Sequence, residues 1–159
     1  MSATWPQVES ALAVIGSRVS DQAWQLTVPI GDTGRSQKVF AFYETSMQDL
    51  ELIKLQSSLT LLTRSDSMAA GLPMSATAEA DLLPVLREVG QLLIGGLGFV
   101  PHDQDCGFIV LANTFPLALL DLTNPSVLLM YIARFAGAAD QMERKYAEQY
   151  GKSSIPDVF

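Results

Sequence analysis

Trp24-Gln25-Leu26-Thr27-Val28-Pro29-Ile30 carries an apolar side chain at every second position. That is the spacing of a strand with one face against a core and one face in water. Pro29 has no N–H to give a ladder, so this end is expected at an edge or a strand terminus. The turn-forming run Gly31-Asp32-Thr33-Gly34-Arg35-Ser36 follows, and then Lys38 to Thr45, rich in aromatic and β-branched residues, as a second strand. After a short connection at Met47-Gln48-Asp49, alternation resumes from Leu50 to Arg64, with Ile53, Leu55, Leu59 and Leu61 on one side. Three strands joined by short links are expected to pair as an antiparallel meander.

Outward from this centre the period changes. Thr4 to Arg18 is predicted as a helix, with Thr4 as cap, Pro6 in the first turn, and Val8, Leu12, Ile15 and Val19 at i, i+4, i+7 and i+11. Ser65 to Thr77 is expected to be a loop. A second helix, capped by Asp81, carries Leu82, Leu86, Val89, Leu93 and Leu97 and ends near Gly95-Gly96. Phe99 to Pro101 and Phe108 to Ala112 are predicted as a hairpin around His102–Gly107. The last helix has Asn124 as cap and Pro125 at its first position. Its long stripe runs through Leu128, Tyr131, Ile132, Phe135, Ala139, Met142 and Tyr146. The resulting order, α-β-β-β-α-β-β-α, predicts an α+β fold: a five-stranded antiparallel sheet with helices on one face. Residues 1–150 are expected to form one domain, with 151–159 as a flexible tail.

Composition narrows the function. The 159-residue chain has 48% hydrophobic and 17% charged residues, the balance of a globular protein with one core. Seventeen acidic residues against 10 basic ones leave a net charge of −7, so nucleic acid is disfavoured as a partner. Cys106 is the single cysteine, which excludes an internal disulfide and fits a reducing compartment. The first residues lack a signal-peptide pattern, and no apolar run approaches the roughly 20 residues of a membrane span. The expectation is a cytoplasmic protein without membrane association.

Two readings compete at His102-Asp103-Gln104-Asp105-Cys106, which joins the only histidine and the only cysteine to two carboxylates. One is a metal-dependent or nucleophilic enzyme using His102, Asp105 and Cys106. The other is a polar hairpin turn. The turn is favoured, because the chain has no second histidine or cysteine to complete a ligand set. Gly31–Ser36 lacks the Gly-Lys-Ser/Thr ending of a phosphate loop, and Gly95-Gly96-Leu97-Gly98 follows a predicted helix where a dinucleotide turn would follow a strand. Glu79 with Asp81, and Asp103 with Asp105, lack the apolar surroundings that raise a catalytic carboxyl. No catalytic residue, cofactor or metal is assigned.

The binding candidates are apolar. Val127-Leu128-Leu129-Met130-Tyr131-Ile132-Ala133 is apolar around nearly two helical turns, more than one sheet face can cover. The excess is covered either by another element of the chain or by a partner, and Leu129, Met130, Tyr131 and Phe135 are the candidate residues. Phe40 and Phe42 alternate with Val39, Ala41 and Tyr43, so both faces of that strand are apolar. Either a loop covers the second face or a partner segment lies there. A small apolar-ligand sensor, with the ligand held between sheet and helices, is the alternative to protein binding.

Leu92-Leu93-Ile94 closes a helix, Gly98-Phe99-Val100 begins a strand, and Gly107-Phe108-Ile109-Val110-Leu111 follows a polar turn. Phe115-Pro116-Leu117 and an alanine-rich helix from Asn124-Pro125 complete the succession. In this succession the second half of the chain resembles the type III secretion chaperone-like fold and its YbjN-type relatives, and the resemblance implies a five-stranded sheet backed by helices, a homodimer, and a role in holding or regulating other proteins. It carries no catalytic residues.

Overall fold

The computed structural model describes residues 3–63, 96–101, 106–120 and 122–150. Among these, helix α1 (Trp5–Leu12) is followed by strands β1 (Gly16–Ser20), β2 (Ala23–Pro29), β3 (Ser36–Thr45) and β4 (Glu51–Thr63). Then come β5 (Gly96–Pro101), β6 (Cys106–Pro116), a 3-10 turn at Leu117–Leu119, and helix α2 (Pro125–Tyr150). All strand pairs are antiparallel, in the order β1-β2-β3-β4-β6-β5. The fold is α+β. The five expected strands are all present, the first three as a meander, and β1 adds a sixth at the edge.

β1 corrects the first helix, which stops at Leu12 and does not reach Arg18. Thr4 starts it as expected: its backbone N–H donates to Gln7 Oε1 at 2.9 Å. The chain then turns, and Gly16 passes so close to β2 that a Cβ there would lie 2.4 Å from the Gln25 carbonyl oxygen. Only glycine permits that approach. Ile15 packs against the core, whereas Val19 is exposed on the edge strand, so its place in the 3.6-residue series is coincidental.

Alternation does the rest. Leu26 and Val28 of β2, Val39 and Ala41 of β3, Ile53, Leu55 and Leu59 of β4, and Leu111 of β6 share one face and are buried. Both described helices pack on that face: α1 through Val8, Ala11 and Leu12, and α2 through Leu128, Ile132, Phe135, Ala136, Ala139 and Met142. Two indoles fasten the α1 end: Trp5 donates to the Asp21 carbonyl and Trp24 to Glu9 Oε1. Buried aromatics of this size contribute much of a small core, and their N–H groups need such partners. The last strand runs to Pro116, beyond the expected Ala112. Phe115 on that extension meets Tyr131 edge-on, ring centroids 5.3 Å apart.

The β2–β3 turn has the predicted chemistry. Gly31 and Gly34 sit at φ +50° and +74°, and Thr33 Oγ1 donates to the Ile30 carbonyl at 2.6 Å. α2 begins at Pro125, with Asn124 Oδ1 accepting the Ser126 N–H, so the predicted cap and first residue hold. Among the described residues no helix is long and apolar enough to cross a membrane. The predicted loop at Ser65–Thr77, the predicted helix from Asp81 as far as Gly95 and the 151–159 tail lie outside the described residues, while Gly96 and Leu97, expected at that helix's end, belong to β5.

Candidate functional site

α2 presents two different surfaces along its length. At its start, the buried stripe of Leu128, Ile132 and Phe135 faces the sheet, and Val127 and Met130 project on the far side, 50% and 53% exposed. In the 3-10 turn just before the helix, Leu119 is 76% exposed. Leu129 and Tyr131 flank the stripe and are half-buried; Asn113 Nδ2 donates to the Tyr131 hydroxyl. Phe135 is fully buried and belongs to the core, which corrects its place among the interface candidates. Its own spacing, seven residues after Leu128 and four before Ala139, already aligned it with the buried stripe.

Phe40 and Phe42 point to the sheet face opposite the helices, half-buried, with rings nearly parallel and 6.1 Å apart. Their cross-strand neighbours are Gln25 and Gln56 for Phe40, and Ala23 and Lys54 for Phe42. The two sequence candidates lie on opposite sides of the sheet: Met130 outside the helix layer and the phenylalanines on the face away from the helices. His102 and Asp105 lie outside the described residues, as does the side chain of Cys106. Among the described residues no group of three or more His, Cys, Asp or Glu is arranged to hold a metal.

The second half of α2 carries a polar site that sequence reasoning missed. Asp140 is buried, 6% exposed, where the helix crosses the β2–β3 turn. Arg35, delivered by that turn, donates from Nε to Asp140 Oδ1 at 3.2 Å and from Nη2 to Oδ2 at 3.0 Å. Arg144, one turn further along α2, approaches the same Oδ2 at 3.3 Å. The hydrogen bond to Asp140, reinforced by its negative charge, holds the Arg35 guanidinium above its already high pKa. Beside this cluster Gln37 is also buried, with Nε2 donating to Ser57 Oγ and to Glu143 Oε2, each at 2.9 Å. Ser57 Oγ passes its own hydrogen to the Lys38 carbonyl at 2.7 Å. An open groove of about 430 Å³ borders the network, lined by Arg35, Gln37, Asp140, Glu143, Arg144 and Glu148.

Charge-assisted, two-pronged contacts of this kind fix geometry, here locking the β2–β3 hairpin onto α2. The one local signal was an aspartate next to the stripe residue Ala139, with arginine four residues on. Its partner lies 105 residues away, beyond any periodicity. No family model matches the chain, and no curated protein matches it.

Proposed function

We propose that the chain is a non-catalytic binding module, chaperone-like or regulatory, that self-associates through the start of α2 and engages a segment of another protein. The observation that carries this reading is the half-exposed pair Val127 and Met130, one helical turn apart, on a helix whose sheet-facing residues Leu128, Ile132 and Phe135 are buried. Exposed apolar side chains grouped beside a packed stripe are a surface for association, and methionine adapts well to a second surface. Leu129 and Tyr131 form its margin, and Leu119 lies close by in sequence. Phe40 and Phe42, stacked behind the sheet, are assigned to contact with the other protein.

The resemblance to the type III secretion chaperone-like fold and its YbjN-type relatives supports the same reading, since it implies a homodimer that holds other proteins. A cytoplasmic location accords with the single cysteine and the net charge of −7. Sedimentation over a wide range of protein concentration tests the proposal. A dimer that Met130→Glu converts to monomer, with the cooperative thermal transition of a folded chain retained, is the expected result. A monomer at every concentration sinks it.

A further inference from the structure

We infer that a second copy of this chain docks reciprocally, the β3–β4 turn of each copy packing against the start of α2 of the other. This rests on the self-association read above and adds the surface that meets α2. Thr45 pairs with Glu51 and Leu52 with Pro116, so the β3–β4 turn and the 3-10 turn at Leu117–Leu119 stand at one end of the sheet. α2 starts at that end as well. Its Tyr131 meets Phe115 and Asn113 near the end of β6, and its Asp140 reaches Arg35 at the opposite end.

Exposed apolar side chains gather there. Met47 and Leu50 lie in the β3–β4 turn, Leu119 in the 3-10 turn, and Val127 and Met130 on α2. Among the described residues the other large exposed ones are Val14 and Val19, before and within the edge strand β1. The five at the sheet end present on the order of 600 Å² of surface, the upper end of what a monomer leaves open. A stable dimer buries roughly 800 Å² on each partner, so they supply most of one side.

The turn holds its apolar tip outward. Ser46 Oγ accepts the N–H groups of Gln48 at 3.2 Å and Leu50 at 3.1 Å. The Ser46 N–H donates to the Leu50 carbonyl at 2.9 Å, and the Asp49 N–H to the Ser46 carbonyl at 3.0 Å. Met47, fully exposed, thus projects from a fixed turn that loses little freedom on docking. Charge points to the occupant. Asp49 is exposed two residues from Met47, and Arg134 is exposed one helical turn after Met130. Neither makes an ion pair among the described residues. A turn carrying methionine beside an uncommitted anion fits a helix carrying methionine beside an uncommitted cation. One chain holds both, so a two-fold axis uses the contact twice.

Sedimentation equilibrium of the full chain gives the dimer dissociation constant of each variant. Met47→Ser, at a site open to water in the lone chain, is expected to raise it roughly tenfold or more while thermal unfolding stays cooperative. Asp49→Asn keeps a residue that tolerates the φ of +58° found there, and is expected to raise it about fivefold, as is Arg134→Gln. The double variant is expected to be no weaker than either single one, because both remove the same contact. Val14→Ser, beside β1, leaves the constant unchanged. An unchanged constant in Met47→Ser, additive losses in Asp49→Asn and Arg134→Gln, or equal weakening by Val14→Ser overturns the docking. A dimer that fails these tests yet still dissociates on Met130→Glu loses this inference and keeps self-association through α2. A natural chain that is monomeric at every concentration overturns both.

Discussion

The two halves of α2 solve the same problem, covering a sheet face, by opposite means. The first half does it with apolar side chains alone: Leu128, Ile132 and Phe135 are fully buried, and the surplus spills outward as Val127 and Met130. The second half buries Ala139 and Met142 but interrupts them with Asp140, neutralised by Arg35 and Arg144. Burial of apolar surface is non-directional, so the first half is held against the sheet without being fixed in rotation. A bidentate ion pair has one geometry, so the second half sets where the helix sits over the β2–β3 hairpin. The first half supplies adhesion and the second supplies register.

That contrast can be broken in measurable ways. Phe135→Ala is expected to cost about 3–5 kcal/mol in urea unfolding, the cavity penalty of a large core aromatic. A loss under 1 kcal/mol would mean that the apolar half is not the main source of adhesion. Asp140→Ala comes next, at about 2 kcal/mol. Removing one partner of a buried pair strands the other charges, but here both arginines are about half exposed and water repays part of the loss. Arg144→Ala should cost no more than about 1 kcal/mol, because Arg35 alone still satisfies both Asp140 oxygens. An Arg144 loss equal to that of Asp140 would show that the two guanidiniums act as one unit. Met130→Glu is the smallest effect on stability, within about 0.5 kcal/mol, since its side chain is half in water. Its expected effect is on native mass.

How much of this was written in local sequence differs between the same two halves. The apolar stripe of α2, its cap at Asn124 and the strands β2, β3 and β4 all follow from periodicity, which depends only on neighbours a few residues apart. Phe135 belongs to the same stripe by its spacing and is buried there, whereas a direct interface role needs it at the surface. β1 was hidden because Val8, Leu12, Ile15 and Val19 happen to satisfy a helical series, while the deciding fact, the pinch of Gly16 against Gln25, is a tertiary contact. Arg35 and Asp140 were invisible as a pair for a similar reason. Each is an ordinary charged residue until the turn at Gly31 and Gly34 brings one over the other. The groove beside them inherits that invisibility.

The latch between Arg35 and Asp140 also has a consequence during synthesis. The hairpin that offers Arg35 is translated early, whereas the helix that offers Asp140 is made only after every strand of the sheet. Until α2 leaves the ribosome, the row formed by Leu26, Val39, Leu55 and Leu111 lacks the cover that Leu128, Ile132 and Phe135 give it, and among the described residues α1 alone shelters it. Long-range closure of this kind slows folding and leaves apolar strands open to wrong partners. The nascent chain therefore passes through an interval in which it is itself a client for the kind of protection it is proposed to give.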